Sequence, residues 1–493
     1  MKKLLLLSIS LLFLVPVLSA QSGTEKPSQQ PPAVQPPAAR PRQQEQEPEH
    51  KITPEEAKEL FQSVDEILQF ASKSTLLPMK QPVKKAMVSR EQVEKYIEEK
   101  FKDDVDRIRF ERSELVLRKF GFLPRTFDLH TFMIKLYGEQ VEGYYDEKTK
   151  TINLLDWVSL DMQKPVMAHE LTHALQDQSF DLGKMMKKEE EIEKRGPVDP
   201  NALIKIDEAS ACRSAVLEGQ AMIVLVDYIL APAGRSAEDA PGLVDVMRAS
   251  VNSIDESPLF DSAPLLLREE LVFPYGYGMK FIQELLKAGG KKLAFAGVLS
   301  RMPETTREIL EPKEYLAGRR IPPLLLPDMG FLKKDFEPFD AGAVGEFDVE
   351  VLLKQYADEA TAKRLSPEWR GGAYYAAGRK GAKPANPNST DHIGLVYVSR
   401  WSSDKVAQEF ARIYASALTS RYTQLEHIQA SSGNSGREKY TSTDGPIFLE
   451  QRGDLLVITE SFDDATADRL IQAAEKQALE NSKAAAQGGA GQR

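Results

Sequence analysis

Residues 166–178 read VMAHELTHALQDQ, and this stretch places two of the six histidines of the chain four positions apart. Pro165 suits the first turn of a helix, and Gly183 suits a position just beyond its end. The apolar residues between them supply one packing face: Val166, Met167, Leu171, Ala174 and Leu175. We therefore predict a helix from Pro165 to about Ser179.

The two histidines and the glutamate between them indicate a metal site. At about 100° per residue, His169 and His173 fall about 40° apart around the helix axis, and Glu170 lies on the same side. Zinc binds neutral imidazole nitrogens and carboxylate oxygens, and a catalytic zinc keeps one position open for water. We predict that His169 and His173 bind one zinc ion and that Glu170, as general base, takes a proton from that water.

Such a site needs a third protein ligand, and the best candidate is Glu218 in the stretch AVLEGQAM. A carboxylate inside an otherwise apolar helix is costly unless it meets an ion or a hydrogen-bond donor. The alternative is that Glu218 forms a buried pair with a residue such as Arg213. Asp207 and Glu208 are the other candidate ligands, although acids near a helix start also interact with the helix dipole.

Further side chains near these motifs are candidates for supporting roles. Asp177 lies one turn beyond His173 and is predicted either to orient an imidazole or to contact a neighbouring helix. Tyr275 and Tyr277 could donate to a developing oxyanion, but core or turn packing is the favoured interpretation for both. Three histidines stand alone and are predicted to be structural or exposed: His130, His392 and His427.

These motifs resemble those of the gluzincin group of zinc metallopeptidases, over about 90 residues from Gly143 to about Leu230. AHELTHALQD is similar to the active-site helix of the thermolysin-like enzymes, and LEGQA is similar to the glutamate helix of the wider group. The resemblance implies these roles: His169, His173 and Glu218 as metal ligands, and Glu170 as the base. It also implies that GYYDEKTKTINLL (143–155) forms an edge strand above the cleft, where it pairs with substrate backbone.

The residues of 143–155 independently predict a hairpin or edge strand, because two β-prone runs flank a polar tip. Helices are predicted around it, and the first begins with Thr53 as cap and Pro54 in the first turn. The other predicted helices cover about 89–120, FDLHTFMIKLYGEQ, about 201–230, GYGMKFIQELLKAG and MPETTREILEP. The charged run KMMKKEEEIEKRGPVDP (184–200) is predicted to be a solvated helix end and loop.

A Pro-rich connector, RRIPPLLLPDMG, precedes a change in the pattern of predicted helices and strands after about Ala341. A helix, a Gly- and Ala-rich patch, the strand HIGLVYVSRW, another helix, the run GPIFLEQRGDLLVITESF and a closing helix follow in order. The run GPIFLEQRGDLLVITESF contains the triplet Arg452-Gly453-Asp454, which we expect to be a hairpin turn and not an adhesion signal. The predicted fold class is α+β: a mainly helical zincin-like metallopeptidase domain (52–340) with an edge strand or hairpin, followed by a smaller α+β module (341–482).

Composition predicts that neither end of the chain belongs to the folded domains. Residues 1–20, MKKLLLLSISLLFLVPVLSA, predict a secretory signal, and the Pro- and Gln-rich segment 21–51 predicts a disordered linker. The tail 483–493 is predicted to be disordered as well. No other segment is predicted to cross a membrane.

Charge and cysteine content narrow the class of protein. The net charge of −10 without a basic stripe argues against a nucleic-acid partner. The single cysteine, Cys212, excludes an internal disulfide and is predicted to be a small buried hydrophobe.

The combined prediction is an exported zinc metallopeptidase, secreted or periplasmic, with one zinc ion per chain and a protein or peptide substrate. One alternative is a zinc hydrolase of a non-peptide amide or ester, because the motif specifies the water chemistry and not the substrate pocket. Another is a non-catalytic, zinc-stabilised binding or assembly protein of the cell envelope. Glu170 argues against this last alternative, since a structural zinc site needs no base.

Overall fold

The computed structural model describes residues 51–488 apart from 101–103, 142, 253–257, 385, 387 and 429–435. The predicted signal and nearly all of the predicted linker lie outside the described residues, as do residues 489–493.

The helices in the described part of the chain are α1 (Pro54–Thr75), α2 (Arg90–Lys100), α3 (Asp104–Phe120), α4 (Leu129–Gln140), α5 (Leu160–Phe180), α6 (Leu182–Arg195), α7 (Pro200–Leu230), α8 (Pro241–Asn252), α9 (Pro258–Asp261), α10 (Leu265–Lys292), α11 (Val298–Ser300), α12 (Thr306–Leu310), α13 (Pro312–Leu316), α14 (Glu346–Tyr356), α15 (Glu359–Leu365), α16 (Asp404–Arg421) and α17 (Asp464–Gly488). The strands are β1 (Lys84–Val88), β2 (Tyr144–Asp146), β3 (Thr151–Leu155), β4 (Phe336–Ala343), β5 (Trp369–Arg379), β6 (Ile393–Trp401), β7 (Glu426–Ile428), β8 (Arg437–Ser442), β9 (Gly445–Arg452) and β10 (Leu455–Glu460).

The first helix begins where the sequence predicts. Thr53 caps α1 and Pro54 occupies its first turn. The Thr53 side chain accepts from the backbone N–H of Glu56, and the Glu56 carboxylate accepts from the backbone N–H of Thr53 at 2.8 Å. This reciprocal capping satisfies two backbone donors that the helix itself leaves open.

The motif helix begins earlier than predicted and ends where predicted. α5 begins at Leu160, after Ser159 as cap, so Pro165 lies inside the helix and does not start it. It ends at Phe180, where Asp181 takes a left-handed backbone with φ 54°. Gly183 lies in α6, whose first turn is capped by the Asp181 side chain. The charged run predicted to be a helix end and loop is therefore mostly helix.

Helix α7 is the centre of the helical region and packs against α1, α5 and α10. By length and composition the segment Pro200–Ala233 could cross a membrane, which the sequence prediction overlooked. Within the protein 61% of its apolar window is buried. The same apolar composition is what a central core helix requires.

A small three-stranded sheet lies beside the motif helix in the order β1-β3-β2. β2 and β3 form the predicted antiparallel hairpin, and β2 is one of the two edge strands of this sheet. β1 pairs with β3 in parallel, from Lys84 opposite Thr151 to Val88 opposite Leu155, and was not predicted. Its short sequence, KKAMV, has no clear alternation of apolar and polar residues.

A seven-stranded antiparallel sheet forms the C-terminal region in the order β4-β5-β6-β10-β9-β8-β7. The Gly- and Ala-rich patch is its strand β5, and Gly453, at φ 61°, turns the β9–β10 hairpin within the Arg-Gly-Asp triplet as predicted. Alternate residues of β5 face opposite sides, so Tyr374 joins the core shared with α14 and α16 while Tyr375 packs in the layer that contains α17. The fold is α+β.

The helical region and the sheet share one hydrophobic core. A single buried cluster contains side chains of α1, α5, α7 and α10 together with side chains of β5, β6 and β10. β4 begins at Phe336, so the predicted boundary at 340/341 falls inside a strand. The closing helix α17 continues to Gly488, which takes helix into the segment predicted as a disordered tail.

Candidate metal centre

Helix α5 presents both motif histidines to one point in the protein. Nε2 of His169 and Nε2 of His173 lie 3.1 Å apart. The side chain of His169 is fully buried and that of His173 is 12% exposed. The spacing of four residues predicted this approach, because it places the two rings one above the other on a helix.

Helix α7 brings the third candidate, Glu218, to the same point. Its Oε2 lies 3.0 Å from Nε2 of His169 and 3.4 Å from Nε2 of His173. The neighbouring Gly219 lets α7 approach α10 closely, since a Cβ there would come within 2.3 Å of the backbone of Gly278. Within the described residues, these three side chains are the group that could hold a metal ion.

The separations fit a divalent metal. Three donors held by one tetrahedral zinc at about 2.1 Å lie about 3.4 Å from one another. The observed separations are 3.0, 3.1 and 3.4 Å. Two imidazoles and a carboxylate form a donor set that suits zinc. The geometry is compatible with such an ion, with His173 and Glu218 on the side that solvent reaches.

Electrostatics favours the charged forms in this group. Burial alone would raise the pKa of the Glu218 carboxyl, but the imidazoles of His173 and His169 lower it to about 2. Burial alone would lower the pKa of His173, but the Glu218 carboxylate raises it to about 9. Glu170 adds to this rise, so the motif glutamate lies close enough to act on the ring.

The alternatives for the third ligand are occupied elsewhere. Glu208 accepts hydrogen bonds from the backbone N–H and the hydroxyl of Thr306, at 2.8 and 2.9 Å. Asp207 accepts from the backbone N–H of Ala343, which ties α7 to the first strand of the large sheet. Arg213, proposed as a possible partner of Glu218, is ion-paired with Glu189 of α6.

The motif glutamate meets the edge strand. Tyr145 of β2 donates its backbone N–H to Oε2 of Glu170 at 2.8 Å. Its phenol donates to Asp177 at 2.9 Å, one turn beyond His173 on α5. Tyr145 therefore attaches the hairpin to the motif helix at two points.

Asp177 holds the hairpin and does not orient an imidazole. Besides the Tyr145 phenol, it accepts from Nζ of Lys150 at 2.5 Å and from the backbone N–H of Leu182 at 3.2 Å. The residue that contacts an imidazole is Gln176, whose Oε1 lies 2.8 Å from Nδ1 of His173. Sequence reasoning missed Gln176, because a glutamine in a polar stretch of helix carries no distinctive signal.

The remaining candidates lie apart from the three candidate ligands or pack beside them. The ring of Tyr275 stacks beside that of His169, with centroids 6.5 Å apart. Tyr277 donates to Glu350 at 3.3 Å, which directs its phenol into a different pocket. The three isolated histidines contact other side chains: His130 packs on Phe110, His392 lies by Asp391 and His427 stacks on Tyr440.

Comparison with known proteins bears on the C-terminal region. Residues 336–471 match a family described as Domain of unknown function (DUF8575). The match starts at β4 and ends within α17, so it spans the large sheet and leaves out His169, His173 and Glu218. Comparison with curated proteins and with solved structures gave no match.

Proposed function

We propose that this protein is a zinc-dependent peptidase of the HExxH…E kind. The observation that carries the proposal is the convergence of Nε2 of His169, Nε2 of His173 and Oε2 of Glu218 within 3.4 Å of one another. These atoms belong to the only two histidines on α5 and to a glutamate 45 positions further along the chain. We further propose that α5, α7 and the β2–β3 hairpin form a zincin-like unit.

His169, His173 and Glu218 would hold the zinc ion. Zinc bound there supplies Lewis-acid chemistry, which lowers the pKa of water toward about 7 and polarises a carbonyl group. The side-chain exposures of 12% for His173 and 19% for Glu218 leave a route from solvent to the ligands.

Glu170 is placed to move the proton. As general base it takes a proton from the attacking water while the new C–O bond forms, and it passes that proton to the amine nitrogen as the C–N bond breaks. The hydrogen bond from the Tyr145 N–H supports this role, because it holds the carboxylate in one orientation beside the ligands. A zinc site that only stabilised the fold would have no use for an oriented base.

The edge strand supports a peptide as substrate. β2 is paired with β3 on one side only, and an extended peptide can bind beside such an edge through backbone hydrogen bonds. The predicted signal in residues 1–20 adds that this activity belongs outside the cytoplasm, in a secreted or periplasmic protein.

The test is metal analysis combined with a peptide-library digest of purified mature protein. We expect about one zinc per chain in the wild type. Glu170→Gln should keep the metal and lose hydrolysis, whereas His173→Ala should lose both. His427→Ala is the matched control, because His427 lies on the exposed strand β7 and stacks on Tyr440.

Two results would count against the proposal. Undiminished hydrolysis by Glu170→Gln would exclude its role as base. Zinc binding by a wild type that cleaves no peptide in the library would favour the amide or ester hydrolase, or the non-catalytic protein. A panel of simple amide and ester substrates separates those two.

A further inference from the structure

Two buried glutamines form a hydrogen-bond chain behind the ring of His173. Oε1 of Gln176 lies 2.8 Å from Nδ1 of His173. The amide nitrogen of Gln176 donates to Oε1 of Gln220 at 2.8 Å and to the backbone carbonyl of Leu217 at 3.1 Å. Both glutamines are fully buried. The chain thus links the motif helix α5 to α7 at the level of the ligands.

The chain ends on backbone carbonyls. The amide nitrogen of Gln220 donates to the carbonyls of Ala294 and Phe295, at 2.7 and 3.2 Å. Both carbonyls belong to the π-helical segment Leu293–Gly297, which follows a kink at Gly289 and Gly290 in α10. A carbonyl oxygen only accepts, so the part of the Gln220 amide that faces these two carbonyls is its NH₂ group.

Because the chain ends on two acceptors, each of the two amides can have only one orientation. Gln220 must turn its NH₂ group to the two carbonyls, which leaves its oxygen facing Gln176. Gln176 must then turn its own NH₂ group to that oxygen and to the carbonyl of Leu217, which leaves Oε1 facing His173. An oxygen in that position requires Nδ1 of His173 to carry a hydrogen. Reversing either amide would bury unsatisfied donors and acceptors.

We infer that Gln176 and Gln220 are positioning residues that keep Nδ1 of His173 protonated and thereby reserve Nε2, with its lone pair, for the metal ion. The inference rests on the metal site of the proposed function. Hydrogen-bond partners behind metal-bound histidines generally set ring orientation and tautomer in this way. Here the acceptor is the neutral amide of Gln176, and its orientation is set by Gln220 and the carbonyls that Gln220 binds.

The two ligand histidines differ in this respect. Nδ1 of His169 is buried and has no hydrogen-bond partner among the described residues. Its ring is held by packing, with Tyr275 beside it. The glutamine chain therefore acts on one ligand and leaves the other unaffected, which makes its contribution separable by mutation.

The first test measures zinc affinity by competition with a chromophoric chelator. Gln176→Met keeps the side-chain volume but removes the acceptor, and we expect a loss of affinity of up to about 100-fold. Gln220→Met does not touch the ring but frees Gln176 to reverse, and we expect a loss of about tenfold. Unchanged affinity in both variants would overturn the inference.

The matched control is Gln163→Met. Gln163 is the other buried glutamine of α5, and its amide bonds to backbone groups of Leu155 and Val158. Its loss should lower stability, while zinc affinity stays within about twofold of the wild type. An affinity loss in the control equal to that of Gln220→Met would reassign the effect to general loosening of the helix.

The second test reads the tautomer directly by ¹⁵N NMR of histidine-labelled, metal-free protein at alkaline pH, where the ring of His173 is neutral. We expect hydrogen on Nδ1 in the wild type and a mixture of tautomers in Gln220→Met. Hydrogen on Nε2 in the wild type would refute the inference, even if Gln176→Met fails to fold.

The two proposals fail differently. A wild type without peptidase activity whose variants still follow this order of zinc affinity would refute the peptidase and keep the glutamine chain. Hydrolysis that depends on Glu170, together with variants that bind zinc like the wild type, would do the reverse. If the wild type bound no zinc, the peptidase would fail and the NMR measurement would still decide the tautomer.

Discussion

Two carboxylates of this protein, Glu218 and Glu460, lie in opposite kinds of surroundings. Glu460 is fully buried and meets only donors: Nη2 of Arg421 at 2.7 and 2.8 Å, the phenol of Tyr414 at 2.7 Å and the phenol of Tyr422. Glu218 faces Nε2 of His169 and Nε2 of His173, and each of these nitrogens donates or accepts according to the protonation of its ring. The Glu460 group is complete within the chain, whereas we propose that a metal ion completes the Glu218 group.

The pKa values of both carboxyls are lowered, so this property does not separate them. For Glu460, burial opposes the shift, and Arg421 and Lys119 bring the pKa down. For Glu218, burial also opposes it, and the imidazoles of His173 and His169 lower the pKa to about 2. The difference lies in the partners: the guanidinium of Arg421 is fixed, whereas in the proposed metal site the ion takes the place of the proton on His173.

The largest effect expected from this difference concerns stability in the presence of a chelator. Glu460→Gln leaves the charge of Arg421 buried without its partner and should cost about 3–5 kcal/mol. Glu218→Gln should cost about 1 kcal/mol, because His173 can lose its proton when the carboxylate is gone. Urea unfolding of the two variants measures both values. Equal losses would show that Glu218 also serves mainly to stabilise the fold.

The response to zinc should separate the two groups in the opposite direction. At a free zinc concentration about 100 times the dissociation constant, the wild type should gain about 2.7 kcal/mol of stability. Tyr414→Phe, which removes one donor from Glu460, should gain the same amount. Glu218→Gln should gain almost none. Thermal unfolding with and without zinc is the measurement, and a full gain in Glu218→Gln would move the third ligand elsewhere.

Zinc affinity should depend on pH through His173. Its pKa is about 9, since Glu218 raises it against the effect of burial. Below that value an ion must displace the proton on Nε2, so affinity should rise about tenfold per pH unit from pH 7 to about 9. Chelator competition across this range tests the slope. A flat profile would mean that His173 binds no ion.

In the metal-free protein, the stability that His173 contributes should fall as the pH rises, whereas the zinc affinity should increase. The pKa of His173 is raised from 6.5 to about 9, so its protonated form stabilises the folded state. This contribution is complete below about pH 6.5 and is lost as the pH rises through 9. Urea unfolding in chelator at both ends of this range, compared with His173→Ala, isolates it. The variant should lack this part of the pH dependence.

The smallest expected effect concerns the hairpin and tests whether it contributes to zinc binding. Tyr145→Phe removes the hydrogen bond to Asp177 but keeps the backbone N–H that reaches Glu170. We expect a loss of about 1 kcal/mol in stability, an unchanged zinc content and reduced hydrolysis. Loss of zinc from this variant would place the hairpin among the parts that build the ligand group itself.

Much of the local structure could be predicted because its causes are local. The α1 cap depends on Thr53 and Glu56, three residues apart, and the approach of His169 to His173 depends on one turn of helix. Glu218 was predicted from the cost of an acid in an apolar helix, which is a property of the residue and its neighbours in sequence. Its two rivals, Asp207 and Glu208, could be set aside only by their hydrogen bonds in the folded chain.

The sequence by itself thus determined the motif helix, the hairpin, the central apolar helix and the identity of the candidate ligands, since each depends on spacing along a few turns or strands. Only the tertiary structure decided the pairing of β1 with β3, the role of Asp177 in holding the hairpin and the direction of Gln176 and Gln220 behind His173. The reason is physical: each of these features joins residues far apart in the chain. β1 and β3 are more than 60 positions apart, and Asp177 meets Tyr145 and Lys150 of the hairpin. The direction of the glutamines depends on which carbonyls the segment after α10 brings opposite Gln220.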